Sequence, residues 1–141
     1  MTVPIDELPV AEFAFPGPLR DALVAAVLSG AKTTTTGLLA GYQHADEPVP
    51  VAGQRNAVID SAGARVAVIE TIEVRIVPIC DIDEEFARAE GEGYTTVAQW
   101  RVAHEGFWHS EEMVAFLGRR PVIDDDTLVV AERFRLISSD G

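Results

Sequence analysis

The sequence predicts one α+β domain built on a small, mainly antiparallel sheet or barrel with flanking helices. Three observations lead there. At 141 residues the chain has the usual size of a single domain, spanning 1–141, and buries roughly two-thirds of its unfolded surface without staples. Apolar residues recur at helical spacing around 19–27 and 97–107. Long β-branched runs at 65–77 and 127–137 read as strands, and the two kinds of segment do not alternate regularly enough for a doubly wound sheet.

Taken in order, residues 1–16 mix prolines, acids, Phe13 and Phe15 without periodicity and read as an N-terminal arm tucked onto the body. Gly17-Pro18 opens a helix, with proline at its favoured first position and Asp21 in the first turn. Leu19, Leu23, Ala26 and Val27 give it a buried face, and Gly30 stops it. Lys32 follows in a loop positioned by that helix. Gly41 to Arg55, with Pro48 and Pro50, reads as a stiff loop able to border a pocket.

Ala57–Asp60 and Arg65–Val77 read as strands joined by a Ser61-Ala62-Gly63 turn. One face of the longer strand then carries Val66, Val68, Glu70, Ile72, Val74 and Ile76. Glu70 is the misfit there. Either it is paired, or a bulge near Glu70-Thr71 turns it outward. After Pro78, Asp81 with Glu84 predicts a capping box for a short helix through Glu90, stopped by Gly91. Glu90 in that last turn faces the negative end of the helix dipole, which raises its pKa.

Thr96 with Gln99 caps the next helix, whose apolar face holds Val97, Trp100, His104 and Phe107. A histidine on such a face is usually a satisfied core residue. Ser110 caps a helix over Glu111–Leu117, ended by Gly118. The last strand, Thr127–Ile137, puts Leu128, Val130, Glu132, Phe134 and Leu136 on one face, with Glu132 interrupting the apolar row. Pairing with an arginine, or a bulge, accounts for it.

Composition narrows the function classes. Twenty-three acids against eleven bases give a net charge of −12, a field that repels extended polyanions. A small neutral ligand stays compatible with it. Apart from Arg119-Arg120, the arginines are scattered singly. No apolar run approaches the ~20 residues needed to span a bilayer, and the N-terminus lacks a signal-peptide pattern. Cys80 stands alone, which predicts a cytoplasmic protein without disulfides. Three scattered histidines and one cysteine make no metal-ligand pattern, so neither metal nor cofactor is expected.

The stretch with the most chemistry is Ser29-Gly30-Ala31-Lys32-Thr33-Thr34-Thr35-Thr36-Gly37. Lys32 is the sole lysine against ten arginines. An ammonium that is buried can lose its proton, whereas guanidinium cannot. An amine beside hydroxyls suits hydroxyl activation. A phosphate-binding P-loop is excluded, because glycine is missing directly before the lysine and a helix, not a strand, precedes it.

Gly30-Ala31-Lys32-Thr33-Thr34-Thr35, placed after the first helix, resembles the Gly-x-Lys-Thr-x-Thr signature of the ASCH family. Val68–Val74, Glu84–Gly93, the Trp100 helix and Ala131–Arg135 match in the family's order over about residues 13–137. The resemblance implies a PUA-like fold, a small β-barrel flanked by helices, with a cleft lined by the lysine loop. It also implies a link to RNA binding, or amide hydrolysis of N4-acetylcytidine by a lysine, a threonine and a glutamate. By motif these are Lys32, Thr35 and Glu90. Thr33, Thr34, Tyr42, Glu70 and Glu132 are the expected substrate contacts. An extra loop and helix, and Gly37 where compact amidohydrolase members tend to have arginine, place the chain in a longer bacterial subgroup. The expected partner is a small nucleoside substrate, with an RNA-binding module or a ribonuclease using the same cleft as the alternative.

Two arrangements satisfy the chemistry. In one, neutral Lys32 deprotonates Thr35 and a protonated Glu90 is the acid. In the other, charged Lys32 stabilises the oxyanion while ionised Glu90 activates Thr35 or water. The first is favoured, because arginine could fill a purely charged role.

Overall fold

A computed structural model describes residues 3–138. Five strands form one mixed sheet flanked by helices. In chain order the elements are β1 (Val10–Ala11), α1 (Pro18–Ser29), β2 (Thr34–Leu38), α2 (Leu39–Ala45), β3 (Arg55–Ile59), β4 (Arg65–Pro78), α3 (Glu84–Ala89), α4 (Val97–Trp108), α5 (Glu111–Leu117) and β5 (Leu128–Ser138). The strand order is β1-β3-β4-β5-β2. β1 runs parallel to β3, and every other pairing is antiparallel. The sheet does not close into a barrel; β1 and β2 are its edges. No helix is long and apolar enough to cross a membrane.

Both faces of the sheet are covered. α1 supplies Leu23, Val24 and Val27 to one layer, against Phe13, Val58, Ala67, Ile69 and Phe134. The opposite layer packs Phe86, Trp100, Trp108, Met113 and Leu117 against Leu38, Val129 and Ala131. β5, next to last in the sheet and covered on both sides, therefore buries four consecutive residues, Val129 to Glu132, instead of alternating. Leu128 and Leu136, expected on its buried face, lie exposed at its ends.

Several expectations change. The α1 face begins with Arg20 rather than Leu19, which is exposed. Arg20 is buried because its guanidinium donates to the carbonyls of Phe13, Ala14 and Asp60 and to Glu12. It thereby fastens the N-terminal arm, which contains β1 and a 3-10 turn at Ile5–Glu7, onto the body. The arm's first two residues lie outside the described residues. Thr34–Leu38 is a strand, not a loop, as suits β-branched threonines. The stretch read as a loop from Gly41 starts inside α2, a short helix with no side-chain cap to announce it. Asp83, not Asp81, caps α3 by accepting from the Phe86 amide; Asp81 sits in a preceding 3-10 turn. Thr96 and Ser110 cap α4 and α5 as expected.

The expected apolar face of β4 is also revised. The register shifts between Thr71 and Glu73. Ala67, Ile69 and Thr71 are buried, whereas Ile72 and Ile76 are exposed. Glu70 is both paired and next to the bulge: it accepts from Arg55 and Arg135 at 3.1 and 2.8 Å. Those hydrogen bonds, Arg55 first, hold its carboxyl below the usual range.

Candidate active site

Two backbone junctions bring the site together. The first joins the loop after α1 to the end of α3. The Thr33 amide donates to Ala89 O at 2.8 Å, while Phe134 of β5 donates to Thr33 O at 3.0 Å. Gly91 adopts φ +72° and presses against the Ala31 carbonyl, where a Cβ would meet the carbonyl carbon and oxygen at 2.6 Å. Only glycine fits there. The second junction is the pairing of β2 with β5, which sets Thr35 opposite Glu132.

Lys32 and Glu90 meet at the first junction, 2% and 1% exposed. The Lys32 ammonium donates to Thr34 O at 2.8 Å, to Glu90 Oε1 at 3.1 Å and to Glu90 O at 3.4 Å. Glu92 lies 3.9 Å away, and the Phe13 ring is 5.7 Å from Nζ. Glu90 Oε2 accepts from Thr36 Oγ1 at 2.8 Å and from the Trp100 indole at 2.6 Å, and it faces His104 Nε2 at 3.2 Å.

Glu90 is the C-cap of α3. Burial and the helix end act against its charge, but Lys32, His104 and Trp100 outweigh them and bring its carboxyl down to about 2. The upward shift expected from the helix dipole is therefore reversed by these partners. At neutral pH Glu90 is a carboxylate, which does not suit the arrangement that needs a protonated glutamic acid.

His104 extends the network. Its Nδ1 lies 2.9 Å from Trp100 O, which only accepts, so Nδ1 carries hydrogen. With Glu90 ionised, Nε2 must carry one too. Burial works against that imidazolium, but the Glu90 carboxylate raises the His104 pKa above its usual value. The ring stacks on Trp100 at 4.3 Å between centroids. Sequence reading placed His104 and Trp100 in the core without linking them to Glu90; their spacing from one another was legible, the carboxylate between them was not.

The outer rim holds the remaining titratable groups. Burial raises Glu92 and Glu132; Lys32 pulls both back in part, as does the Thr71 hydroxyl on Glu132 at 2.7 Å. Burial, with Glu132 and Glu47 nearby, pushes Tyr42 up to about 12. The Tyr42 ring packs over Gly37, 3.1 Å from where a Cβ would stand.

The expected site residues thus separate. Lys32, Glu90 and Thr34 lie in the buried cluster, with the Thr34 hydroxyl committed to Phe86 O at 3.0 Å. Thr35 is half-buried beside Glu132, and its hydroxyl has no hydrogen-bond partner among the described residues. Thr36, not singled out from sequence, is the hydroxyl that touches Glu90. Thr33 is exposed and enters through its backbone. Glu70 belongs to the Arg55–Arg135 cluster on the strand face opposite Thr71 and Glu132.

Glu90, Glu92 and His104 bring possible metal-ligand atoms within 4.8 Å of one another. The set does not fit a divalent cation well. Lys32 already supplies the positive charge, Glu90 Oε2 already accepts hydrogen bonds, and His104 offers N–H rather than a lone pair.

Residues 12–138 match the family model described as ASCH domain. The chain belongs to the ASCH domain family. Two crystal structures are similar to this chain. Protein EF3133 from Enterococcus faecalis V583 aligns with a TM-score of 0.79 and 30% identity, over 97% of this chain and 78% of that one. An ASCH domain from Lactobacillus crispatus JV V101 aligns with a TM-score of 0.77 and 26% identity, over 92% of this chain and 79% of that one. No curated protein matches the sequence.

Proposed function

We propose that this ASCH domain is an amidohydrolase for an N4-acylated cytidine or a related small acylated nucleoside. The observation that supports this reading is the buried Lys32–Glu90 ion pair at 3.1 Å, with Lys32 also acting on the raised carboxyl of Glu132, which stands opposite Thr35 across the strand pair. Burying two charges is a poor route to stability, because desolvation offsets most of their attraction. Perturbed, coupled ionisable groups are instead a feature of catalytic sites.

In this reading Glu90 orients the Lys32 amine through the 3.1 Å contact. The substrate carbonyl displaces the long 3.4 Å contact of Nζ to Glu90 O, and the ammonium then stabilises the developing oxyanion. Thr35, or a water bound to it, attacks the carbonyl carbon. Glu132, opposite Thr35, accepts the proton and returns it to the leaving amine as the C–N bond breaks. Where Thr35 is the nucleophile, a water that Glu132 then deprotonates cleaves the acyl-threonine ester, releasing the carboxylic acid and restoring the Thr35 hydroxyl. The RNA-binding alternative finds less support, since Arg133 and Arg135 on the sheet surface are each paired with glutamates and the net charge is −12.

The test is incubation of the purified protein with N4-acetylcytidine, following cytidine by chromatography. Turnover that falls at least ~100-fold in Thr35→Ala and Lys32→Ala supports the assignment. Wild-type turnover no greater than that of Lys32→Ala refutes it.

A further inference from the structure

β4 is longer than its partner on one side. β3 pairs with it over Arg65–Glu70, and the contacts between Thr71 and Gln54 and between Gly53 and Thr71 end that edge. The 51–54 turn, closed by Gln54 N–H to Val51 O, then leads the chain away. From Glu73 to Val77 the β5 side stays paired, Ile72 being the bulged residue between Thr71 and Glu73, while the other edge meets no hydrogen-bonding group among the described residues. Ile72 and Ile76 on this segment are 52% and 48% exposed. A free edge with exposed isoleucines is an open template for another strand.

The order of residues on that edge specifies which strand fits it. Ile72-Glu73-Val74-Arg75-Ile76 is self-complementary when run antiparallel against itself. With Val74 opposite Val74 of a second copy, Glu73 faces Arg75, Arg75 faces Glu73, and Ile72 faces Ile76. Each opposed pair is then apolar–apolar or of opposite charge, the combinations that stabilise cross-strand neighbours. Positions 73 and 75 share one side of the pleat and 74 and 76 the other, so one two-fold register about Val74 pairs both charges. Ile72 stands opposite Ile76 in that register but lies in the bulge between Thr71 and Glu73, outside the alternation. Within one chain Glu73 lies 3.6 Å from both Arg75 and Arg133, and all three side chains are partly exposed.

We propose that this chain forms a two-fold symmetric dimer through antiparallel addition of the β4 edge at Ile72–Val77, joining two five-stranded sheets across the interface. The proposal rests on the free edge and its residue order and not on the catalytic reading, although Val74 is the strand partner of Glu132.

Sedimentation velocity over a concentration series tests it. The wild type is expected to shift from monomer toward dimer with rising concentration. Glu73→Arg, which places arginine opposite Arg75, and Arg75→Glu, which places glutamate opposite Glu73, should each remain monomeric at concentrations where the wild type is dimeric. The double exchange Glu73→Arg/Arg75→Glu restores opposite charges and should recover the dimer. Unchanged far-UV circular dichroism in each variant separates loss of pairing from loss of fold. A monomeric wild type at every concentration overturns the proposal. So does a dimer indifferent to both single reversals, or a double exchange that fails to recover.

Discussion

Replacing Lys32 by methionine keeps the unbranched apolar stem and removes the terminal amine. Glu90 then remains buried without a counter-ion. Breaking a buried pair in this way costs ~3–5 kcal/mol, because the surviving charge is stranded. Only Oε1 of Glu90 loses its partner here, since Thr36, Trp100 and His104 stay on Oε2. That places the expected loss at the lower end, about 3 kcal/mol. In a domain of this size each kcal/mol moves the melting temperature by roughly 4 °C, so Lys32→Met should melt about 12 °C lower. Adding Glu90→Gln removes the stranded charge. The double variant should regain at least ~1.5 kcal/mol over the sum of the two single losses. Thermal and urea unfolding of the four proteins completes the cycle. A Lys32→Met melting point within about 3 °C of wild type, or strictly additive losses, refutes the account of the pair.

Two further predictions concern pH and backbone fit. Glu90 falls from its ordinary 4.5 to about 2 on folding. A depressed carboxyl stabilises the fold above its unfolded pKa and loses that contribution as pH falls from 4.5 toward 2, about 3 kcal/mol in all. Glu92 and Glu132, raised by burial, act in the opposite sense and offset part of it. The stability gap between wild type and Glu90→Gln should therefore shrink between pH 6 and pH 3 in urea titrations; an unchanged gap contradicts the assigned shift. Gly91→Ala combines a left-handed backbone with a clash against Ala31 and should cost ~3 kcal/mol or more. Gly93→Ala has similar backbone strain (φ +91°) but open space, and should cost only about 1 kcal/mol. Equal losses in calorimetry would remove the clash from the explanation.

Sequence reading reached the mixed α+β class, the helices α1, α4 and α5 and both long strands, because each is bounded by glycine, proline or a capping hydroxyl. It missed β2 and α2, where neither signal exists: the strand is a run of threonines and the helix has no cap. The Lys32 site was legible in part. A sole lysine and a glutamate ahead of Gly91 stand out, but what holds Glu90 depends on contacts across 58 and 54 residues of chain, to Lys32 and Thr36. No local pattern reveals which of four consecutive threonines faces inward. Strand pairing decides that, turning Thr34 and Thr36 toward the carboxylate layer and Thr35 toward Glu132.

The pairing of β2 with β5 has a consequence for how the protein comes into being. Thr34–Leu38 has its strand partner at Val129–Arg133, almost a hundred residues later in synthesis. Until that segment leaves the ribosome, the threonine run has nothing to pair with, and Phe134 cannot close onto Thr33. The loop that carries Lys32 therefore gains its hold on the sheet only when β5 is present. That long-range closure is separate from the hairpin of β3 and β4, whose strands are neighbours in the chain.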